Sequence, residues 1–200
     1  ITESSGLVLY DDTLLLTLND GGNSPTLYSV DYSGQVVLDK PISVKNYDWE
    51  ELAVDSKNNV YIGDFGNNGH RRKNLKIHKL DSNLSLISTI NFSYADQIGF
   101  PPIYKKNRRF DCEAMVCEND SVFLFSKNWG EKTMKMYGLS SGVAEANVSP
   151  LDSLRLKGMV TGADISPNGE VLVLLSYGYI YWFSIKDALN LSQPMYIGYS

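Results

Sequence analysis

The sequence contains few of the residues on which several common kinds of site depend. Its 200 residues include only two cysteines and two histidines. Cys112 and Cys117 are five positions apart, so on one strand they would point to opposite faces, which predicts buried free thiols rather than a disulfide. No Gly-x-Ser-x-Gly sequence occurs, and neither cysteine has an evident partner base. The sequence therefore argues against hydrolysis through a nucleophilic triad.

Positive charge and long apolar runs are also scarce. The net charge of -5 disfavours nucleic acid as a partner, because binding to phosphate backbones needs a basic surface. No apolar run approaches the roughly 18 to 20 residues that span a bilayer, so no membrane span is predicted. No charged and apolar leader precedes Ile1, so either a signal peptide has been removed or the protein never had one.

What the sequence does contain is a repeat of hairpins. A polar turn rich in Asn, Asp, Gly or Pro precedes each of four apolar runs, at 14–16, 60–62, 122–124 and 171–173. A second run follows each of them, with a ring at its second position: Tyr28, His78, Tyr137 and Tyr181. These rings are 50, 59 and 44 residues apart, and periods of about 40 to 50 residues with four strands each are typical of β-propellers.

The repeat predicts an all-β fold, a β-propeller with four four-stranded antiparallel blades in one domain. The blades are expected at about 1–45, 46–107, 108–157 and 158–200, and only residues 186–190 suggest a helical turn. An open ring would expose two unpaired flanks. We therefore expect these blades to belong to a five- or six-bladed ring that lacks its terminal blade or blades here. The alternative is a complete four-bladed ring, for which a monomer is expected.

Acidic residues recur near the start of each predicted inner strand. They are Glu3, Glu50, Glu113 and Asp164. Because inner strands line the channel of a propeller, these carboxylates are expected to converge at one mouth, where they repel one another unless protonated or bridged by a cation. Calcium takes roughly six to eight oxygens, and Asp64 and Asn67, in the loop after a second strand, are predicted to add ligands. The alternative is that the acids bond to backbone amides of neighbouring blades and tie the ring together.

Basic residues cluster in two segments, 70–73 and 105–109. Guanidinium groups suit carboxylate or phosphate, so the sequence predicts an anionic ligand beside the cation. The predicted ligand-binding residues are Arg71, Arg72, Arg109, Asp20 and Asn128. The alternative is that these cations are solvated, or paired with Asp64 and Asp111. His78 occupies the ring position of the repeat, which favours a packing role.

Six segments carry a resemblance to a known family: residues 3–7, 19–28, 48–53, 63–68, 111–114 and 160–164. In these segments the chain resembles secreted propeller proteins of Bacteroidetes, which are similar to SdiA-regulated periplasmic propellers and, more distantly, to phytase-like esterases and gluconolactonase-type propellers. The resemblance implies a longer parent, a secreted, periplasmic or cell-surface location, and calcium on the propeller axis. Glu3, Glu50, Glu113 and Asp164 match the acidic positions, although Asp164 lies in Gly-Ala-Asp rather than Asp-x-Glu.

Two functions are compatible with these features. The first is a non-catalytic propeller whose acidic mouth binds a divalent cation together with a small-molecule, glycan or protein ligand. The second is a metal-dependent hydrolase of lactones or phosphate esters, in which the cation activates water while Arg71, Arg72 or Arg109 holds the anion. Propellers include both enzymes and binding modules, so the fold does not decide between them.

Overall fold

The computed structural model describes residues 1–127, 133–185, 191, 194 and 196–198. The predicted helical turn at 186–190 and the predicted ligand residue Asn128 lie outside this range. Within it the only helical element is a 3₁₀ turn at Lys105–Asn107, and no helix is long and apolar enough to cross a membrane. The strands are β1 (Ser4–Leu9), β2 (Leu14–Asn19), β3 (Thr26–Asp31), β4 (Val36–Pro41), β5 (Trp49–Val54), β6 (Val60–Asp64), β7 (Leu75–Leu80), β8 (Leu86–Tyr94), β9 (Asp111–Glu118), β10 (Ser121–Lys127), β11 (Thr133–Ser140), β12 (Glu145–Val148), β13 (Pro150–Arg155), β14 (Val160–Ile165), β15 (Val171–Ser176), β16 (Tyr179–Ser184) and β17 (Tyr196–Gly198).

These strands form four sheets arranged as the blades of a propeller. The sheets run β1-β2-β3-β4, β5-β6-β7-β8, β9-β10-β11-β13 and β14-β15-β16-β17, with antiparallel neighbours throughout. The prediction of an all-β propeller arrangement with four antiparallel blades is confirmed. One strand was not predicted: β12 leaves the third blade and pairs in parallel with β8, so that the second blade has five strands and its outer edge is covered.

Three hydrophobic cores fill the junctions between consecutive blades. Leu18 and Trp49 belong to the core between the first and second blades, and Tyr137 to the core between the second and third. Tyr181 belongs to the core between the third and fourth. No comparable cluster among the described residues joins the fourth blade to the first. That junction is a cleft of about 320 Å³, with Leu7 on one wall, Leu175 on the other and Glu51 between them.

Each inner strand carries a β-bulge at an equivalent position. The pairing of β1 with β2 shifts by one residue at Gly6, and the inner strands of the other blades shift at Glu50, Glu113 and Thr161. A bulge adds one residue, bends the strand and redirects the local side chain. Gly6 suits this position because its φ is +64° and a Cβ atom there would meet the backbone nitrogen of Leu52 at 2.7 Å.

The bulge at Glu113 also changes the expected orientation of the two cysteines. Cys112 and Cys117 are both buried free thiols, as predicted. The prediction that they point to opposite faces is wrong, because both belong to the core between the second and third blades. The extra residue at the bulge lies between them and reverses the alternation of side chains along β9.

Candidate functional site

Three carboxylates meet where the first and second blades come together. Asp20 follows the end of β2, Asp48 directly precedes β5, and Glu50 is the bulged residue of β5. One oxygen atom of each carboxylate lies within 4.8 Å of one oxygen atom of the other two. This acidic cluster of Asp20, Asp48 and Glu50 therefore lies at the start of an inner strand, β5.

The side chain of Asn46 fixes the loop of the first blade to the inner strand of the second. Its amide nitrogen donates hydrogen bonds to the carbonyls of Asn19, at 3.2 Å, and Asp20, at 3.0 Å. Its oxygen accepts the backbone N–H of Trp49 at 3.0 Å, and the indole of Trp49 is fully buried in the core. Asn46 therefore holds Asp20 close to the start of β5.

Two glycines allow the carboxylates to approach one another. A Cβ atom at Gly21 would overlap a carboxylate oxygen of Asp48, and a Cβ atom at Gly66 would overlap Oε1 of Glu50. The backbone N–H of Gly66 donates to the carbonyl of Asp48 at 3.1 Å. Any other residue at these positions would have to displace the acidic side chains, so the site depends on glycine at both.

Glu50 is the most unusual member of the cluster. It is only 6% exposed, and no described residue donates a hydrogen bond to its carboxyl group. Burial, followed by the negative charges of Asp20 and Glu113, raises the pKa of Glu50 to about 10. Burial also raises the pKa of Asp48 to about 6, although Arg72 opposes this shift. Without a cation, the cluster therefore holds a proton on Glu50 at neutral pH.

Asp64, a predicted metal ligand, belongs to a buried ion pair beside the cluster. Its Oδ1 atom accepts hydrogen bonds from the backbone N–H of Asp48, at 3.0 Å, and from Nη2 of Arg72, at 2.7 Å. Its Oδ2 atom lies 3.8 Å from Nε2 of His78. Burial alone would raise the pKa of Asp64, but the neighbouring ring of His78 and the charge of Arg72 lower it. Asp64 thus orients Asp48 and Arg72.

Asn67, also predicted as a metal ligand, uses all its polar groups in the same region. Its backbone N–H donates to Oδ1 of Asp111 at 2.7 Å, and its side-chain amide donates to the carbonyl of Phe110 at 2.9 Å. Its side-chain oxygen accepts the backbone N–H of Arg72 at 2.9 Å. Asn67 therefore joins the second blade to the third.

Glu113 occupies the bulge position in the third blade that Glu50 occupies in the second. Its carboxylate forms an ion pair with Lys127, whose side chain is buried. Burial raises the pKa of Glu113, and Lys127 opposes the shift. Its charge also acts on Glu50. Glu113 is therefore a neighbour of the acidic cluster, but it has a cation of its own.

The other two predicted acids lie outside the cluster. Glu3 is exposed, three residues before the bulge at Gly6, and it accepts a hydrogen bond from the amide of Asn23 at 2.9 Å. Asp164 is exposed, three residues after the bulge at Thr161, and accepts the N–H of Ile165 at 2.8 Å. The four predicted acids therefore do not occupy equivalent positions.

The predicted basic residues are divided between two places. Arg72 contacts the acidic cluster, where its Nη1 atom lies 3.9 Å from Oδ2 of Asp48. Arg71 lines a separate cavity. Arg109 donates a hydrogen bond from Nε to the carbonyl of Lys106 at 2.8 Å.

Asp48 and Asn46 are the site residues that the sequence analysis missed. The repeated Asp-x-Glu at 48–50 and 111–113 was the available signal for Asp48, because both copies place Glu at a bulge and Asp two residues before it. Asn46 has no counterpart in the repeat that would have identified it. Asp20 was predicted to bind the ligand, and the structure places it among the clustered carboxylates.

Comparisons with known proteins identify the fold and no family. No protein-family model matches the chain, and no curated protein sequence does. A protein of unknown function from Bacteroides caccae is similar in structure, with a TM-score of 0.55, 10% identity, and alignment over 98% of this chain and 60% of that one. Hydrazine synthase of Kuenenia stuttgartiensis has a TM-score of 0.50 and 12% identity over 99% of this chain and 48% of that one.

A chain of the mitotic checkpoint complex is also similar, with a TM-score of 0.50 and 13% identity over 92% of this chain and 51% of that one. The chain thus spans about half to three-fifths of the length of these structures. At these identities the likeness is one of fold alone. It agrees with a β-propeller shared with a Bacteroides protein of unknown function, and no matching family supports the narrower likeness to SdiA-regulated, phytase-like or gluconolactonase-type propellers.

Proposed function

We propose that the acidic cluster binds a divalent cation, calcium, and that this cation helps to hold a ligand at the mouth of the channel. One observation carries the proposal: the carboxyl group of Glu50 is buried without a hydrogen-bond donor among the described residues, and it faces the carboxylates of Asp20 and Asp48. The ionised form of an unpaired buried carboxyl group is costly, so Glu50 keeps its proton when no cation is bound. A cation among the three oxygens would take the place of that proton and remove the repulsion between the ionised carboxylates.

The kinds of atom in the cluster favour calcium. All three side chains offer oxygen, and neither histidine nor cysteine is among them. Hard cations such as calcium prefer oxygen ligands, whereas zinc prefers nitrogen and sulfur. Three carboxylates supply fewer oxygens than the roughly six to eight that calcium takes, so water or a bound ligand would complete the shell. An anionic or hydroxyl-bearing molecule suits those positions, and the resemblance suggests a secreted or periplasmic setting.

Hydrolysis of lactones or phosphate esters is the second candidate. The observation that favours it is the guanidinium group of Arg72 beside Asp48 at the edge of the cluster. The guanidinium group donates its hydrogen bonds to Asp64, Gly66 and Asn74, so it would attract the anionic end of a substrate through its charge while a metal ion polarises the reacting oxygen. A panel of lactones and phosphomonoesters tests this candidate, with Glu50→Gln and Glu113→Gln as variants. Turnover that neither substitution changes would exclude the site.

Isothermal titration of calcium into the protein tests the cation proposal. We expect saturable binding at millimolar calcium or below, and thermal stabilisation under the same conditions. Asp48→Asn and Glu50→Gln should each weaken binding about tenfold or more, because each removes a charged ligand. The matched control is Glu145→Gln, an exposed residue on β12. Neither heat nor stabilisation in the wild-type protein would refute the proposal.

We also propose that one or two further blades of the same polypeptide cover the cleft between the first and fourth blades. The other three junctions are filled by hydrophobic cores, whereas Leu7 is 58% exposed and Leu175 44% exposed at this one. The protein of unknown function from Bacteroides caccae has two-fifths of its chain outside the part that aligns with this one. A sheet packed on these leucines would complete the ring.

Substitutions in the full-length natural protein test this proposal. If further blades cover the cleft, Leu7→Asp and Leu175→Asp should each lower the free energy of unfolding by about 3 kcal/mol, as substitutions in a core do. Leu151→Asp, at an exposed position on the outer strand β13, is the control. Changes below about 0.5 kcal/mol in all three variants would show that the cleft faces solvent.

A further inference from the structure

A second polar site, lined by none of the residues of the acidic cluster, is a cavity of about 530 Å³. The loop after β6 forms one wall, with His70 and Arg71. The segment between β8 and β9 forms the other, with Lys105, Lys106 and Arg108. The two basic segments of the sequence therefore meet across one cavity, although they are more than thirty residues apart.

The four cations of this cavity have no carboxylate partner among the described residues. Arg71, Lys105, Lys106 and Arg108 form none of the ion pairs that the described part of the chain contains. The adjacent Arg72, by contrast, is paired with Asp64. Arg108 is also held in place, because its Nε atom donates to the carbonyl of Pro102 at 3.2 Å. Four cations around one cavity create a positive potential that an anion would relieve.

His70, a residue of the same wall, has a buried and unpaired ring nitrogen. His70 is 5% exposed, and its Nδ1 atom has no hydrogen-bond partner among the described residues. The backbone of His70 is fixed on both sides: its N–H donates to the carbonyl of Asn67 at 2.7 Å, and its carbonyl accepts the amide of Gln97 at 3.2 Å. Buried polar groups are almost always paired, so this nitrogen points to a missing partner.

We propose that this basic cavity binds a phosphomonoester, with the phosphate oxygens held by Arg71, Lys105, Lys106 and Arg108 and contacted by His70. A phosphate dianion matches several cations better than a single carboxylate does, and guanidinium groups bind it through paired hydrogen bonds. The cavity is larger than phosphate alone, so it has room for an organic group. Asp111 is the carboxylate whose charge reaches His70, and it is buried and accepts the backbone N–H of Asn67. The side chains differ from those of the acidic cluster, so the inference does not depend on calcium.

Calorimetric titration with glucose 6-phosphate tests the inference in the presence of EDTA, which removes divalent cations. We expect saturable binding that glucose does not reproduce. The double variants Arg71→Gln/Arg108→Gln and Lys105→Gln/Lys106→Gln should each weaken it about tenfold or more, because each removes two charge-assisted contacts. Arg155→Gln/Lys157→Gln removes two exposed cations elsewhere and is the control; it should change the affinity by less than about twofold.

His70→Asn tests the ring nitrogen without disturbing the backbone. His70 has a φ of +53°, and asparagine adopts this left-handed conformation more readily than most residues. We expect this variant to fold and to bind glucose 6-phosphate several-fold more weakly.

A parallel measurement with vesicles containing phosphatidic acid identifies the source of the phosphate group. Binding of glucose 6-phosphate indicates a soluble ligand. Binding of the vesicles alone indicates a lipid headgroup, provided that the double variants abolish the binding of vesicles. Wild-type binding of neither probe would overturn the inference, as would equal binding by the double variants. Binding that disappears in EDTA would also overturn it, because the anion would then be bound through a metal ion.

Discussion

Replacing Glu50 with glutamine should stabilise the protein when no cation is present, and increasingly so as the pH rises. The pKa of Glu50 is about 10 in the folded protein, against an ordinary value of 4.5. A group with a raised folded-state pKa contributes stability that is fully present below about pH 4.5 and is lost as the pH rises towards about 10. Glutamine has nearly the same shape and does not titrate, so it removes this loss.

The magnitude follows from the pKa difference. Each pH unit above the unfolded-state pKa costs at most about 1.4 kcal/mol, so the ceiling between pH 5.5 and pH 7.5 is about 3 kcal/mol. Entry of water at the partly exposed cluster reduces this figure, and we expect Glu50→Gln to gain about 1 to 2 kcal/mol relative to the wild type over that range.

Urea unfolding at pH 5.5, 6.5 and 7.5 in EDTA provides the measurement, with Glu145→Gln as the exposed control. Calcium should reverse the order of stability at pH 7.5, because it stabilises the folded wild type through binding and the variant has lost a ligand. A stability difference between wild type and Glu50→Gln that does not change with pH would refute the assignment of a buried, unpaired carboxyl group.

Three further results are expected. Gly66→Ala should weaken calcium binding about tenfold or more, because the added Cβ atom displaces the carboxylates of the acidic cluster. The control Gly142→Ala, where a Cβ atom meets only a serine oxygen at 3.8 Å, should bind calcium like the wild type. Calorimetry measures both affinities, and equal affinities for the two variants would contradict the geometry. Arg72→Met should lower the free energy of unfolding at pH 7 by about 3 kcal/mol, because it leaves the buried Asp64 without its cation. Since the pKa of Asp64 is lowered in the folded protein, this loss of stability should shrink in acid. Urea unfolding at several pH values measures it, and a loss of stability that is independent of pH would count against the ion pair. Both cysteines should resist a thiol reagent in the native protein, because burial raises the pKa of each thiol, and both should react in urea; rapid labelling without denaturant would contradict their burial.

The hairpin repeat was enough to predict the propeller arrangement, because the strands and turns of each hairpin are set by local sequence patterns. Apolar alternation and turn residues are visible in a few consecutive positions, so the pattern around Val60–Ile62 already indicated a strand of the second blade. The parallel pairing of β12 with β8 was not predictable in this way, because it joins residues 145–148 to residues 91–94 across two blades. Such long-range pairing leaves no local signal.

The candidate site was predictable only in part, for a similar reason. Sequence spacing suggested that Glu3, Glu50, Glu113 and Asp164 are equivalent, but the bulges show that only Glu50 and Glu113 are. A bulge changes register by one residue, and apolar alternation across a half-buried inner strand does not reveal where it occurs.

Tertiary contacts supplied the remaining features of the site. Asp48 joined the cluster because Asn46 and Gly66 bring two loops together at its side chain. The basic cavity likewise required Arg71 and Arg108, from separate loops, to meet.

Location of a bound cation tests the central claim most directly. Crystals of the protein grown with manganese in place of calcium would give an anomalous signal from the metal, since both cations accept oxygen ligands. The account predicts a peak among the carboxylates of Asp20, Asp48 and Glu50, and its loss in crystals of Glu50→Gln. A peak elsewhere on the protein, or none at this cluster in the wild type, would contradict it.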